Sequence, residues 1–223
     1  SFSVYSGEIL ALTGLIGAGK TQIARILFGL DFPDSGEIYF ENDKFLPATP
    51  REVIQRGIVL VPEDRQTQGL MLDLETYKNI TITALDKVRS IFGLSRQKEI
   101  DFAKNFSEPL GLKSASIQIR ARQLSGGNQQ KAVLAKWMHL QPKVLILDEP
   151  TRGMDVRSKE QVLNIVRKMA DENCAVLYIS SEFPEVERIA DRILVLHQGR
   201  ILQELAGGTS QREMMVSILN SGN

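Results

Sequence analysis

Residues 14–21 are the feature that most constrains how this chain folds. The pattern G-x-x-x-x-G-K-[ST] is matched by Gly14-Leu15-Ile16-Gly17-Ala18-Gly19-Lys20-Thr21. An apolar segment that predicts a buried strand, Glu8–Thr13, precedes this loop, and a predicted helix, Lys20–Gly29, follows it. Glycines let successive backbone N–H groups surround an anion, and the helix presents its positive end to the same anion. The order strand, loop, helix therefore predicts an α/β fold with a phosphate-binding site.

Two side chains would complete this phosphate loop. Lys20 would neutralise charge on the β- and γ-phosphates of a nucleotide, and Thr21 would offer its hydroxyl to Mg²⁺. The residues expected to contact the phosphates are Gly14, Leu15, Ile16, Gly17, Ala18, Gly19, Lys20 and Thr21. The loop alone does not distinguish kinases from GTPases or transport ATPases.

A second apolar segment, Val144–Leu147, ends in two acids, Asp148 and Glu149. A carboxylate at the C-terminal end of a parallel strand points into the crevice where open α/β sheets bind ligands. Asp148 is therefore expected to hold Mg²⁺, and Glu149 to orient and polarise an attacking water. The alternative is a pair of solvated acids at a turn, which the upstream phosphate loop disfavours.

The segment that precedes this acidic strand contains a second helix start. Its residues are Leu124-Ser125-Gly126-Gly127-Asn128-Gln129-Gln130-Lys131. Ser125 is predicted to cap the helix Gly126–His139, whose first glycines would expose backbone N–H groups to an anion. A Ser-Gly-Gly helix start is common in itself, but two such anion sites in one chain are not.

The rest of the chain alternates predicted strands and helices, with one interruption. Apolar residues recur three and four apart from Thr76 to Leu112, which predicts packed helices without a convincing strand. The remaining predicted strands are Phe2–Tyr5, Glu37–Phe40, Gly57–Val61, Ala175–Ile179, Ile193–Leu196 and Ile201–Leu205. The remaining predicted helices start at Thr49-Pro50, cover Val156–Glu172 and Pro184–Ala190, and begin at the capping box Ser210-x-x-Glu213.

Composition excludes some classes of protein. Lys plus Arg and Asp plus Glu are equal at 27 each, which argues mildly against a dedicated nucleic-acid binder. No apolar run approaches the roughly eighteen residues that span a bilayer, and the first residues show no signal-peptide pattern. The single cysteine, Cys174, lies in an apolar segment and is expected to be a small buried hydrophobe.

The three motifs in this order resemble those of the ABC ATPase family, whose signature is L-S-G-G followed by a polar residue. The resemblance implies a P-loop NTPase of the ABC type, with a mostly parallel sheet core, an antiparallel β edge and a helical subdomain insertion. One nucleotide-binding domain, 1–223, would consist of a core at 1–75 and 113–223 and a helical subdomain at about 76–112 that extends to the signature helix 124–139. In the family, two such domains pack head to tail around ATP. Ser125, Gly126, Gly127 and Asn128 would thus contact the nucleotide of a partner domain.

Longer stretches resemble the ATPases of monosaccharide importers of the ribose, galactose, xylose and arabinose type. These stretches are L-S-G-G-N-Q-Q-K, V-P-E-D-R at 61–65, and D-E-P-T-R-G-M-D at 148–155. V-P-E-D-R and S-S-E-x-P-E-V resemble the C-terminal one of two tandem domains. The implied cofactors are ATP and Mg²⁺. The implied partners are a second ABC domain, transmembrane permease subunits and, indirectly, a sugar-binding protein, with no nucleic acid, at the cytoplasmic face of the cell membrane.

Two positions depart from the general ABC pattern. Glu63 stands where a Gln usually bonds Mg²⁺ and the attacking water, and is expected to be a metal ligand. Ser181 stands where a His usually contacts the γ-phosphate, and a hydroxyl cannot carry the charge of an imidazolium. We therefore hypothesise slower hydrolysis here than at a tandem partner site. The family's adenine-stacking aromatic residue is absent, and Tyr5 lies too close to the phosphate loop to replace it.

Other readings of the sequence remain open. Residues Gln66–Tyr77 are a candidate contact with the transporter, although Leu70, Met71, Leu72 and Leu74 are equally well explained as ordinary core. A degenerate domain that senses ATP with weak hydrolysis is the main alternative. A soluble ABC ATPase acting on nucleic acid or ribosomes lacks support, because no coiled coil or basic extension is seen. A small-molecule kinase has no use for the signature.

Overall fold

The computed structural model describes residues 1–91 and 93–219. The strands are β1 (Ile9–Thr13), β2 (Tyr39–Phe40), β3 (Asp43–Lys44), β4 (Ile58–Val61), β5 (Arg89–Ser90), β6 (Gly93–Leu94), β7 (Val144–Asp148), β8 (Ala175–Ile179), β9 (Arg192–His197) and β10 (Arg200–Ala206). The α-helices are α1 (Lys20–Leu27), α2 (Pro50–Gln55), α3 (Thr76–Thr81), α4 (Arg96–Ser107), α5 (Ser114–Ile117), α6 (Gly126–Met138), α7 (Val156–Asp171), α8 (Phe183–Ile189) and α9 (Gln211–Leu219). A π-helical turn covers Arg65–Gly69, and short 3-10 turns cover Glu108–Leu110 and Ala121–Gln123.

Six strands form one sheet in the order β10-β9-β1-β8-β7-β4. The pairs β1–β8, β1–β9 and β7–β8 are parallel, whereas β9 and β10 pair antiparallel at the edge. All residues of β1 and β8 are buried, as expected for strands covered on both faces. The predicted fold class, a mostly parallel sheet with an antiparallel edge, is confirmed.

The chain divides into two compact units. The first consists of Ser1–Leu60, Pro142–Glu149 and the chain from Val166 onward. Its core lies between the sheet and the flanking segments, where aliphatic side chains of the strands pack with Phe28 and Phe45. A second cluster packs α8 and α9 against β9. This unit carries the phosphate loop and the acidic end of β7.

The second unit consists of Val61–Gln141 and Pro150–Ile165. Within it α3 packs on α4 and α6, and α4 packs on α6. The apolar residues that recur three and four apart in the sequence, such as Ile80, Ala84, Ile100 and Ala103, are buried here. This unit carries the signature at the start of α6.

Two expectations about strands were wrong. Phe2–Tyr5 is not a strand; its alternation arises because Phe2 and Val4 are half-buried against the core of the first unit while Ser3 and Tyr5 are exposed. The segment 76–112 is not purely helical, because β5 and β6 form a two-stranded hairpin. These strands have two residues each, which is too short for a periodic pattern to reveal.

Other local expectations were met. Ser210 and Glu213 form the predicted capping box, with each side chain bonding the other residue's backbone N–H. Cys174 is buried, and burial raises the pKa of its thiol to about 12.

Among the helices of the described residues, none has the length and apolar character needed to cross a membrane.

Candidate functional site

The phosphate loop begins where β1 ends. Gly14 has φ +147°, and a Cβ there would lie 2.0 Å from the carbonyl oxygen of Leu196. Only glycine therefore fits between β1 and the end of β9. Gly17 and Gly19 also have positive φ, and a Cβ on Gly17 would meet open space. The loop thus has the backbone conformations that the motif requires, and its binding of an anion stays a prediction.

Lys20 is the first residue of α1 and is only 6% exposed. Its Nζ donates to the carbonyl oxygens of Gly14 (2.8 Å) and Leu15 (3.1 Å), so the side chain folds back over the loop. Gly19 caps α1 without a side-chain hydrogen bond, which leaves the first N–H groups of the helix for another acceptor. The loop thus places an ammonium group and a positive helix end at one place.

The acidic pair lies at the C-terminal end of β7, as predicted. Asp148 is the last residue of that strand and is 3% exposed. Glu149 follows in a left-handed conformation with φ +46°, and its N–H donates to the carbonyl oxygen of Ile179 (2.9 Å). A positive φ at a non-glycine residue is uncommon and is often maintained at functional sites.

Glu149 and Ser181 are in direct contact. The carboxylate Oε1 of Glu149 accepts one hydrogen bond from the Ser181 N–H (2.8 Å) and one from the Ser181 hydroxyl (2.6 Å). The residue expected to polarise water is therefore held by the residue that replaces the usual His. The sequence motifs gave no sign of this contact.

Adjacent strand ends bring these groups together within the first unit. β1, β8 and β7 are neighbours in the sheet, so the segments that follow them leave from the same edge. The Thr13 hydroxyl donates to the Ser180 carbonyl (2.8 Å), and this bond links the ends of β1 and β8. Ser180 in turn accepts from the Glu182 N–H (3.0 Å). These bonds fix the backbone that carries Ser181.

The signature lies in the second unit at the first turn of α6. Ser125 is its N-cap, and its hydroxyl accepts from the Asn128 N–H (3.4 Å). A Cβ on Gly127 would lie 2.6 Å from the Ser158 hydroxyl oxygen, and a Cβ on Gly126 would lie 2.7 Å from a nitrogen of Arg65. A side chain at Gly127 would therefore overlap Ser158, whereas one at Gly126 would require the flexible Arg65 side chain to move.

Glu63 also lies in the second unit, where its carboxylate forms an ion pair with Arg152. This partner was not expected from the sequence, and it gives Glu63 a role apart from the predicted contact with metal. Arg65 is a second residue whose role the sequence did not reveal. Its Nη1 donates to the Arg152 carbonyl (3.0 Å). The spacing Asp155-x-x-Ser158, by contrast, is a pattern in the sequence that favours a helix N-cap. Asp155 does accept a hydrogen bond from the Ser158 N–H (3.0 Å).

The segment Gln66–Tyr77 is partly core and partly surface. Leu70 is 7% exposed and Tyr77 is 2% exposed, so these two side chains belong to the interior. Met71 is 52% exposed, and Leu72 and Leu74 are intermediate. The explanation as core is therefore confirmed for Leu70, whereas the contact with the transporter stays a prediction for the exposed Met71.

Metal binding in the first unit would depend on oxygen ligands. Thr21 supplies a hydroxyl and Asp148 a buried carboxylate, a donor set that suits Mg²⁺, which takes few protein ligands and several from phosphates and water. Among residues 1–91 and 93–219, no group of three or more His, Cys, Asp or Glu side chains is arranged to hold a metal ion.

Tyr5 is 62% exposed, and the Arg192 guanidinium carbon lies 5.5 Å from the centroid of its ring.

Comparison with known proteins identifies the chain's relatives. The ribose import ATP-binding protein RbsA of Bacillus licheniformis is 40% identical over 222 residues, which are 100% of this chain and 45% of that protein. Its counterpart from Rhodococcus jostii is 43% identical over 219 residues, which are 97% of this chain and 43% of that protein. The chain thus spans less than half the length of these relatives. The alignments do not bear out the expectation that it is the C-terminal one of two tandem domains.

Solved structures show the same fold. A nucleotide-free ATP-binding cassette from an ABC transporter matches with a TM-score of 0.82 at 23% identity, over 98% of this chain and 87% of that one. The dimeric structure of a bacterial ABC transporter cassette matches with a TM-score of 0.78 at 24% identity, over 92% and 88% of the two chains. A family model described as ABC transporter matches residues 1–152. Because that model covers most of the chain and the alignments with these relatives cover 97% or more of it, this chain belongs to the ABC transporter family.

Proposed function

We propose that this chain binds ATP with Mg²⁺ and hydrolyses it to drive the import of a monosaccharide. The observation that carries the proposal is the glycine cradle of residues 14–19, which ends in the buried Lys20 at the N-terminus of α1. Backbone N–H groups, a helix end and an ammonium group converge there, and a triphosphate is the ligand that uses all three.

Two oxygen ligands would hold Mg²⁺ in this site. The hydroxyl of Thr21 and the carboxylate of Asp148 suit a small hard cation, which would offset charge on the β- and γ-phosphates when bound. Lys20 would exchange its carbonyl partners in the loop for phosphate oxygens. A cation moved onto the phosphates in this way stabilises the charge that develops there during hydrolysis.

Glu149 is the proposed water-orienting residue, and Ser181 is proposed to act with it. The Ser181 N–H and hydroxyl hold one oxygen of the Glu149 carboxylate, which leaves the other oxygen to accept a hydrogen bond from water. Glu63 remains a proposed metal contact, in competition with its ion pair to Arg152.

A second ABC domain is the proposed partner of the signature. Ser125, Gly126, Gly127 and Asn128 would bind the γ-phosphate of the nucleotide held by that domain. The similarity to a cassette whose structure is described as dimeric supports the pairing of two such domains. We further propose that residues 1–223 act as one nucleotide-binding domain with a helical insertion at about 76–112. It would work with permease subunits and a sugar-binding protein at the cytoplasmic face of the membrane. The names of the ribose import relatives support this assignment.

The phosphate loop is tested with Lys20→Ala in the full-length protein. We expect affinity for a fluorescent ATP analogue to fall, because the loop loses the cationic side chain proposed to contact the phosphates, and ATPase activity to be lost. Lys168→Ala, on the exposed face of α7, is a control of matched chemistry. Unchanged nucleotide affinity in Lys20→Ala would remove the basis of the proposal.

Transport is tested by uptake of labelled sugars in cells that lack the gene. Complementation by the intact gene, but not by its Lys20→Ala variant, should restore uptake of one monosaccharide among ribose, galactose, xylose and arabinose. Restoration of none of them would count against a role in sugar import while leaving ATP binding untouched.

A domain that senses ATP with weak hydrolysis is a second candidate. The contact between Glu149 and Ser181 favours it, because the Ser181 N–H and hydroxyl occupy a carboxylate oxygen that could otherwise accept a hydrogen bond from water. Affinity and turnover measured separately distinguish the two. If this domain only senses ATP, it should bind ATP tightly. The Glu149→Gln variant of the full-length protein should then hydrolyse ATP at the wild-type rate.

A further inference from the structure

Arg65 lies against the first turn of the signature helix. Its Nη2 is 2.7 Å from the position that a Cβ on Gly126 would take, so the guanidinium packs directly on the glycine backbone. Its Nη1 donates to the carbonyl oxygen of Arg152 (3.0 Å). Burial lowers the pKa of Arg65 from its ordinary value, and its Nε is buried without a hydrogen-bond partner within the described residues.

The segment after β4 contacts Arg152 in two ways. Glu63 pairs with the Arg152 side chain, and Arg65 bonds the Arg152 backbone. The carbonyl oxygen of the next residue, Gly153, lies 3.8 Å from the same Cβ position on Gly126. The guanidinium therefore fills the space between the segment that contains Arg152 and the start of α6.

The next residue of the same helix turn, Gly127, lies against Ser158. The Ser158 hydroxyl is held by the Asp155 carboxylate (2.7 Å), so this neighbour is also fixed. Both glycines at the start of α6 thus lie against side chains that are themselves hydrogen-bonded. These neighbours limit how far the turn can shift, and with it the N–H groups that the proposed function uses to bind phosphate.

Charge gives a reason for an arginine at this position. A cation beside the positive N-terminal end of a helix is electrostatically unfavourable in the absence of an anion. Packing alone would be served better by an uncharged side chain, which would cost less to bury. A guanidinium here is explained if its planar fork fixes the helix start where a phosphate group binds.

We propose that Arg65 is a positioning residue of the signature. By packing on Gly126 and holding the Arg152 carbonyl, its guanidinium sets the orientation in which the α6 N-terminus meets the nucleotide of a second ABC domain. Arg65 acts through the signature and not on the nucleotide in the phosphate loop of its own chain. The inference rests on the proposed function.

The first test compares Arg65→Met and Arg65→Lys in the full-length protein. Both variants should lower kcat by about tenfold or more, since a small misplacement of a binding group has effects of that order. Lysine should not rescue, because it lacks the fork that reaches the carbonyl and the glycine together. Affinity for a fluorescent ADP analogue, which has no γ-phosphate for the signature to contact, should stay at the wild-type level in both. Arg96→Met, which removes an exposed arginine of α4, is the matched control.

The second test asks whether Arg65 acts through Gly126. A methyl group in Gly126→Ala would displace the flexible guanidinium, so this change should reproduce part of the Arg65→Met defect. The double variant should then lose less than the combined losses in kcat of the two single variants. Strictly additive losses would show that Arg65 does not act through the signature.

Each outcome separates the inference from the proposed function. Wild-type kcat in Arg65→Met, or full rescue by Arg65→Lys, would overturn the positioning role. Reduced ADP-analogue affinity in Arg65→Met would also overturn it, because ADP lacks the γ-phosphate that the signature is proposed to bind and the effect would then reach the phosphate loop. The proposed function fails separately if Lys20→Ala leaves nucleotide affinity unchanged.

Discussion

At the scale of single residues, the phosphate loop depends on backbone conformations that glycine adopts. Gly14 and Gly17 both have positive φ, but their surroundings differ. Gly14 touches the backbone of β9, whereas Gly17 has open space where a Cβ would lie. The two glycines are required for different reasons, one for packing and the other for conformation.

This difference predicts unequal costs for two equal substitutions. Gly14→Ala should lower the free energy of unfolding by about 3 kcal/mol or more, because its Cβ would overlap the Leu196 carbonyl. Gly17→Ala should lower the free energy of unfolding by about 1 kcal/mol, because alanine is disfavoured at positive φ. Urea unfolding of each variant measures both. Equal costs would mean that Gly14 is free to move away from β9.

Ser181 predicts a graded effect on catalysis. Ser181→Ala removes the hydroxyl that holds Glu149 but keeps the backbone N–H donor. We expect kcat to fall roughly tenfold, the scale of one hydrogen bond to a charged group, with nucleotide affinity unchanged. The measurement is the steady-state kcat of Ser181→Ala compared with that of Glu149→Gln. Glu149→Gln should show the larger loss in kcat. A faster Ser181→Ala enzyme would instead identify the contact as inhibitory.

At the scale of secondary-structure elements, α6 contains both the signature and a buried lysine. Its start is the signature, and its later turns are buried among the helices of the second unit. Lys136, near the C-terminal end, is buried; its Nζ donates to the Gly69 carbonyl (2.8 Å) and lies 4.9 Å from the Trp137 ring centroid. Burial lowers the pKa of Lys136 to about 8.

This lysine predicts a pH dependence of stability. Between pH 8 and 10.5 the folded chain has released the Lys136 proton while the unfolded chain still holds it, so the free energy of unfolding should rise with pH across this window. The rise should total about 3 kcal/mol. Lys136→Met should remove this component, measured as the difference between the two pH–stability curves. Parallel curves would mean that Lys136 stays charged in the fold.

At the scale of the whole molecule, the two proposed phosphate-binding turns lie in different compact units. The phosphate loop belongs to the first and the signature to the second. In the proposed function the signature of one domain completes the nucleotide site of another. One chain alone would therefore use only its phosphate loop.

Amide hydrogen exchange would show whether the signature binds nucleotide only when two ABC domains are paired. In dilute protein, ATP should protect the amides of Gly17–Thr21 and leave those of Gly126–Asn128 unchanged. At concentrations where two ABC domains pair, both segments should be protected, since binding stabilises only the groups that it engages. The Glu149→Gln variant keeps ATP intact during the measurement. Protection of the signature in unpaired chains would contradict binding in trans.

The sequence by itself determined the features that arise within a few residues. The glycine loop, the buried strand before it, the caps of α2, α6 and α9, and the acids at the end of β7 follow from local backbone preferences and periodicity, and the structure has them where they were predicted. The equal numbers of acidic and basic residues contributed little beyond excluding a strongly basic protein.

Only the tertiary structure decided which of these features touch. Glu149 and Ser181 are 32 positions apart, and Glu63 and Arg152 are 89 apart. Neither pair belongs to one motif, because contact between them depends on strand order and on how helices pack, which no local pattern encodes. The same reason explains why Phe2–Tyr5 has a strand-like alternation without being a strand, and why the contact between Arg65 and Gly126 could not be predicted from the sequence.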